Sequence, residues 1–213
     1  MFTGIVEGLA EVTELRRAAA SVRIVLDLGE LSADVRIGDS IATNGVCLTV
    51  VELEGSRAAF DVIRETLELT SLGALVVGSQ VNVERSMPAG GRFHGHIVSG
   101  HVDGTGQVSA KREEPGQTWF SVRCTPELTR YMIHKGSITI DGVSLTLTEV
   151  SDTGFSVALI PHTLEVTTLG QRKVGDRVNL EVDAVGKWVW RMLAPQLGGL
   201  DLETLKRAGF GEG

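Results

Sequence analysis

The sequence predicts an all-β chain of two tandem small domains, each a closed barrel or sandwich, followed by a C-terminal helix. Three observations carry this. The chain repeats itself: Ser40-Ile-Ala-Thr-Asn-Gly-Val-Cys-Leu-Thr49 answers Ser137-Ile-Thr-Ile-Asp-Gly-Val-Ser-Leu-Thr146, and Phe60–Met87 (FDVIRETLELTSLG…) answers Phe155–Asp183 (FSVALIPHTLEVTTLG…). Gly45 and Gly142 stand 97 residues apart, as do Asn82 and Asn179. A repeat this long is a duplicated domain, because solenoid units recur every ~20–50 residues. The apolar residues within each half alternate with period two, the mark of half-buried strands. After Asp183 the period becomes helical.

The elements follow in order. The openings Thr3-Gly4-Ile5-Val6-Glu7-Gly8 and Ser99-Gly100-His101-Val102-Asp103-Gly104 match at an offset of 96. Val22, Ile24 and Leu26 alternate, as do Ile138 and Ile140, and Val143, Leu145 and Leu147. Val81 and Val83 correspond to Val178, Leu180 and Val182. Many short strands in a small domain favour closure, which removes exposed edges. Short helices are predicted from Thr66 to Gly73 and from Thr163 to Gly170, each with a capping Thr at the start and Gly at the stop. Thr125-Pro126-Glu127-Leu128 carries a cap, a first-turn proline and an acid. In the tail, Val185, Trp188, Val189, Met192 and Leu193 form one apolar stripe, with stops at Pro195 and Gly198-Gly199. Asp201-Leu-Glu-Thr-Leu-Lys206 begins another helical run. A lone helix of about ten residues is unstable in water, so the tail is expected to hold subunits together. The domains are thus expected at 1–96 and 97–184, with an oligomerising tail at 185–213.

Composition narrows the function. The net charge is −7, against the clustered Lys and Arg that phosphate contacts require, so nucleic acid is not an expected partner. No run of about 18 apolar residues exists, so no membrane partner is expected, and the N-terminus lacks a signal-peptide pattern. The two cysteines, Cys47 and Cys124, are not equivalent in the repeat; reduced thiols in the cytoplasm are the expectation. Aromatics make up 5% of residues, so the cores are built from Val, Ile and Leu.

The chemistry-bearing residues cluster at the paired turns. Asn44-Gly45 and Asp141-Gly142 join strands tightly. Beyond them Cys47 and Thr49 share one strand face, as do Ser144 and Thr146, while Val46 and Leu48 face the core. Between the copies Ile5 becomes His101, Gly38 becomes Lys135 and Asn44 becomes Asp141. The charged set in the second copy suggests that one half is active and the other mainly holds ligand. His94, His96 and His101 lie in the connector, but no well-spaced Cys or Glu completes a zinc set, and no metal is expected. Gly100-His-Val-Asp-Gly-Thr-Gly106 leads into no helix, so it is a weak phosphate-loop signal.

The opening MFTGIVEG, the hairpins NGVCLTV and DGVSLTL, the segments FDVIRETL and ALIPHTLE and the connector GHIVSGH together resemble the riboflavin synthase family over about residues 1–190. The resemblance implies two six-stranded antiparallel Greek-key barrels, each binding one 6,7-dimethyl-8-ribityllumazine. It implies a dismutation without cofactor, in which one lumazine gives a four-carbon unit to the other, yielding riboflavin and 5-amino-6-ribitylaminouracil. It also implies a homotrimer with sites between neighbouring subunits, and for some relatives a lumazine synthase shell. Carried over, a first pocket comprises Gly4, Ile5, Val6, Cys47, Leu48, Thr49, Asp61, Val62, Ile63, Arg64, Glu65 and Thr66. A second comprises Gly100, His101, Val102, Lys135, Ser144, Leu145, Thr146, Ala158, Leu159, Ile160, Pro161, His162 and Thr163. Ser40, Cys47, Lys135, His96, His101, Asp141 and Ser144 are the expected catalytic groups. His101 is the expected base, Ser144 is expected to be oriented by Asp141, and Phe2 is expected as a stacking platform. The alternatives are a non-catalytic lumazine or flavin carrier of the same fold, a flavin reductase lacking its nicotinamide domain, and a scaffold.

Overall fold

The structure, a computed structural model, describes residues 1–18 and 21–197. The first half holds β1 (Gly8–Arg17), β2 (Ser21–Asp27), β3 (Ser40–Thr43), β4 (Val46–Glu54), β5 (Arg57–Ile63) and β6 (Gln80–Arg85). They close into a barrel in the order β1-β2-β5-β4-β3-β6. The second half holds β7 (Gly104–Glu114), β8 (Gln117–Arg123), β9 (Ser137–Ile140), β10 (Val143–Ser151), β11 (Gly154–Leu159) and β12 (Arg177–Val182). It closes in the same cyclic order, β7-β8-β11-β10-β9-β12. Every neighbouring pair is antiparallel. Because β2 pairs with β5 and not with β3, each barrel is a Greek key, as expected.

Alternation explains the closure. Ile24, Leu26, Val50, Phe60, Val62 and Val81 point into the first barrel, and Val108, Phe120, Val122, Leu147, Val157 and Val178 into the second. Burying each such side chain contributes about 1.5–3 kcal/mol. Both barrels bend at equivalent bulges, after Val12 and Val50 in the first and after Val108 and Leu147 in the second. The register also corrects the alignment of the repeat. Phe60 pairs with Val50 and Val157 with Leu147, so the counterpart of Phe60 is Val157, and Phe155 lies two residues away.

The short helices start earlier than predicted. Helix α1 (Arg64–Leu69) continues directly from β5, and α3 (Pro161–Val166) follows β11 after Ile160, with Pro161 in its first turn; α2 (Pro126–Thr129) lies between β8 and β9. The extended residues Ile63 and Ile160 are the N-caps, without a side-chain bond. Thr66 and Thr163 therefore lie inside the helices, not at their caps. The capping role falls to Thr70 and Thr167, whose hydroxyls accept from the Leu72 and Leu169 N–H groups at the start of the next 3₁₀ turns. Thr125 precedes α2 and Pro126 opens it, as predicted.

Helix α4 spans Ala184–Leu197 and passes through Pro195, where a stop was expected. The fixed φ of proline is helical and only one backbone bond is lost, so a final turn can continue. Lys187 Nζ donates to both Asp103 oxygens at 2.8 Å, and the Trp190 ring meets Tyr131 edge-on at 6.2 Å, which ties the helix to the second barrel. Trp188 and Met192 face outward, 66% and 67% exposed. The two tryptophans thus lie on different faces of the helix. The run Asp201–Lys206 lies outside the described residues. No helix among the described residues is long and apolar enough to cross a membrane.

The barrels meet about a pseudo-twofold axis through the two tight turns. Asn82 Nδ2 donates to the Asp141 carbonyl and Asn179 Nδ2 to the Asn44 carbonyl, both at 2.8 Å. Asn82 Oδ1 accepts from the Thr168 N–H at 2.8 Å and Asn179 Oδ1 from the Ser71 N–H at 2.6 Å. Gly45 and Gly142 face each other with φ of +78° and +82°. A Cβ on Gly142 would lie 2.7 Å from the Gly45 nitrogen.

Gly142→Ala is therefore expected to destabilise the chain by about 2–4 kcal/mol, through both the left-handed backbone and the steric clash. Gly38→Ala, at φ +95° with open space around it, carries only the backbone strain of about 1–2 kcal/mol. Denaturant titration of both variants measures the difference; equal losses would mean that the turn contact contributes nothing.

Candidate active site

Each barrel wall has an opening. β4 and β5 stay paired up to Val50 and Phe60 and then part, as β5 turns into α1. The N-terminal end of β4, with Cys47 and Thr49, is left bonded only to β3 on one side. The second barrel parts likewise after Leu147 and Val157, leaving Ser144 and Thr146. The unpaired edge is completed by an opening segment, and the segment comes from the other half of the chain. Ser144 N–H donates to the Gly4 carbonyl at 2.7 Å, and Cys47 N–H donates to the Gly100 carbonyl at 2.8 Å. Val6 packs on the core of the second barrel and Val102 on that of the first.

This exchange corrects the pocket assignment. Gly4, Ile5 and Val6 belong beside Ser144, Leu145, Thr146, Ala158, Leu159, Ile160, Pro161, His162 and Thr163. Gly100, His101 and Val102 belong beside Cys47, Leu48, Thr49 and the Asp61–Thr66 segment. The two openings are so alike in sequence that a repeat cannot tell which barrel each one serves. The contacts decide: a Cβ on Gly4 would sit 2.6 Å from Ser144 Cβ, and one on Gly100 would sit 2.6 Å from Cys47 Cβ. Both glycines have φ of +78°. The openings also pair with each other, through Phe2 N–H to the Val98 carbonyl at 2.8 Å and its return bond at 3.2 Å.

The polar groups therefore divide between two sites. At the second barrel, His96 Nδ1 and Ser144 Oγ share a hydrogen bond of 2.7 Å. His96 Nε2 is buried without a partner. Burial pushes the His96 pKa down, and the nearby Asp183 carboxylate opposes this. A neutral imidazole accepts or donates at Ser144 Oγ, so the pair is able to exchange a proton through that hydroxyl. At the first barrel, Cys47 is a free, half-buried thiol and His101 is exposed next to Gly100. Cys124 is buried, which pushes its thiol up to about 11 and leaves it inert at neutral pH.

Other expected residues have different surroundings. Asp141 is fully buried and does not orient Ser144. One carboxylate oxygen accepts from Arg172 at 2.6 and 3.0 Å and the other from the Asn179 N–H at 2.8 Å. Burial raises its pKa, while Arg172 pulls it back. Its charge serves the barrel junction. Phe2 is fully buried with Ala42, Val98 and Cys47, so it is a plug under the Cys47 site and not a stacking face. Lys135 holds a left-handed turn (φ +66°), and its ammonium makes no ion pair among the described residues. Asp61 is bound by Arg23 through two bonds of 2.8 and 2.9 Å. Ser40 pairs with Thr49 across β3 and β4, and it also lines a cleft of about 630 Å³ with His94, Arg85 and Arg92. No cluster of metal ligands occurs among the described residues. Asp183 was missed from sequence, although its repeat partner is Ser86, a neutral-to-charged change of the kind that singled out Lys135.

Twin barrels with equivalent openings define a duplicated ligand-binding protein. The lumazine binding domain family model matches twice, at residues 3–86 and 99–183. Riboflavin synthase of Actinobacillus pleuropneumoniae is 45% identical over 215 residues, covering 99% of this chain and 100% of its own. Those of Bacillus subtilis and Escherichia coli are 39% and 44% identical and cover 100% and 91% of this chain and 99% and 94% of their own. Solved structures of LumP with 6,7-dimethyl-8-ribityllumazine and with riboflavin superpose with TM-scores of 0.78 and 0.79, at 25% and 27% identity, over 85% of this chain and 99% of theirs. The chain belongs to the riboflavin synthase family.

The His96 environment sets a pH dependence. Unfolded, the imidazole titrates near 6.5; folded, its pKa lies lower. Between the two values the unfolded chain binds more protons, so stability is lost as pH falls below the unfolded value. His96→Gln is expected to flatten the acid limb of the stability profile below the unfolded value near 6.5, read by urea midpoints; an unchanged slope would place the titration elsewhere.

Proposed function

We infer that the chain is a riboflavin synthase that dismutates two 6,7-dimethyl-8-ribityllumazine molecules into riboflavin and 5-amino-6-ribitylaminouracil. The observation that carries this is the pair of equivalent barrel openings, each completed by an exchanged segment, with His96 bonded to Ser144 at one and His101 beside Cys47 at the other. A carrier needs only one such site and no proton-transfer pair. The reaction is a four-carbon transfer between identical rings, so the protein must hold two rings in register and move protons. Holding reactants in register accounts for about 7–11 kcal/mol of a barrier in well-oriented cases. General acid–base groups contribute a further ~10²–10⁴-fold. Ser144 with His96 serves one ring. Cys47, His101 and Ser40 serve the other, the thiol acting by transient addition to an electron-poor ring carbon or by shaping the pocket. Lys135 steadies negative charge on the deprotonated lumazine. The reading requires no cofactor or metal.

The domain division at residues 96 and 184 and the tail from 185 fit this scheme. The outward apolar face of α4, with Val185, Trp188, Val189, Met192 and Leu193, supports a homotrimer in which rings from neighbouring subunits meet. Two free thiols support a cytoplasmic location. A lumazine synthase shell is a further partner for such a trimer.

Ser144→Ala and His101→Gln are expected to keep lumazine binding and lose about 10²-fold or more in turnover, measured by riboflavin absorbance in a single-turnover assay. Unimpaired turnover in both removes the assignment of these two groups. Cys47→Ser is expected to retain more activity than Cys47→Ala. Replacing both Trp188 and Met192 by Asp is expected to reduce the sedimenting species to one chain.

A further inference from the structure

Glu84 and Glu181 are nearly buried carboxylates that take no part in the chemistry described above. Glu84 Oε1 accepts from the Thr3 N–H at 2.7 Å and the Thr3 hydroxyl at 2.9 Å, and its Oε2 accepts from the Gly4 N–H at 3.0 Å. Glu181 repeats the pattern. Its Oε1 accepts from the Ser99 N–H at 2.7 Å and the Ser99 hydroxyl at 2.6 Å, and its Oε2 accepts from the Gly100 N–H at 3.0 Å. Charge-assisted bonds of this kind are about twice as strong as neutral ones. A buried carboxylate is also strongly unfavourable unless its oxygens are satisfied. Each opening segment is therefore held by the carboxylate of its own barrel.

The segment acts in the other barrel. On the very glycines whose N–H groups the clamps hold, the Gly4 carbonyl accepts from the Ser144 N–H and the Gly100 carbonyl from the Cys47 N–H. We propose that Glu84 and Glu181 are positioning residues wired across the pseudo-twofold axis: Glu84, in the first barrel, sets the ligand site at Ser144, and Glu181, in the second, sets the site at Cys47. This rests on the reading that both openings bind a lumazine-type ring.

The test uses the full chain with riboflavin as probe. Equilibrium titration counts the sites, and protection of Cys47 from iodoacetamide reports the first-barrel site alone. Glutamine keeps the volume of the side chain but turns one acceptor into a donor facing an N–H. Glu84→Gln is expected to weaken the site not reported by Cys47 about tenfold, the value of one bond to a charged group, while Cys47 protection stays as in the wild type. Glu181→Gln is expected to reverse the pattern, with protection of Cys47 requiring about tenfold more riboflavin. Where a glutamine variant does not fold, Thr3→Val and Ser99→Ala each remove one clamp bond and are expected to give the same crossed pattern at smaller size. An uncrossed pattern, equal weakening at both sites, or no change in either variant overturns the wiring. Wild-type uptake of fewer than two riboflavin molecules per chain overturns the two-site reading itself, and the wild-type arm separates that failure from failure of the wiring.

Discussion

The back-to-back contact of two tight turns is the constraint on which the rest of the molecule depends. Gly45 and Gly142 approach so closely that neither tolerates a side chain. Around them Asn82 and Asn179 each spend both ends of their amide on the opposite barrel, with one bond to a turn carbonyl and one to a backbone N–H. Buried amide groups left unpaired are costly, so the four bonds stand or fall together. This fixes the two barrels about a pseudo-twofold axis. Once that axis is set, the two opening segments lie side by side, and each meets the strand edge of the opposite barrel. The sites follow from the junction.

The exchange of opening segments has a chemical consequence. A duplicated chain in which each half folded entirely on itself would put His101 beside Ser144, and one site would hold most of the titratable groups. Here His101 stands by Cys47, and Ser144 receives His96 from the connector between the halves. His96 and His101 thus reach different openings from neighbouring places in the sequence. The duplication supplies two equivalent frames, and the connector, which has no counterpart in the first half, supplies the difference between them. The Asp141 and Arg172 pair illustrates the opposite case: a charged difference between the copies that was absorbed by the junction, because Asp141 sits where the barrels touch.

Much of the fold was legible in the sequence. Period-two alternation in two registers, with Asn-Gly and Asp-Gly turns, specifies short antiparallel strands, and closure follows from the need to hide edges. Helix starts were misplaced at Thr66 and Thr163, because a threonine reads as a cap wherever it stands, while a strand that runs straight into a helix needs no polar cap. Phe2 looked like a platform because aromatics are scarce; its burial depends on a long-range pairing with Val98 that no local pattern encodes. Glu84 and Glu181 carried a faint signal. They occupy equivalent places on strands whose inward residues are Val81, Val83, Val178, Leu180 and Val182. A carboxylate repeated on the outer face of two such strands reads as a solvated charge until the opening segment is seen lying against it.

The sites also bear on why the chain carries a helix after its second barrel. Each opening is formed at a surface where strands part, and the described chain leaves its side chains partly exposed: Thr49, Ile63, Thr146 and Ile160 all face outward. A ring seated on such a surface is half covered. A reaction between two rings requires that the uncovered face of one be offered to the other with water excluded. Within one chain the pseudo-twofold axis relates the two openings by rotation, with the tight turns back to back through Gly45 and Gly142. In the homotrimer proposed above, the covering surface comes from a neighbouring chain, and the exposed apolar stripe on α4 is the element that would bring that neighbour. On that proposal oligomer formation and catalysis are one requirement, since a single chain would bind two rings while a contact between chains would let them react.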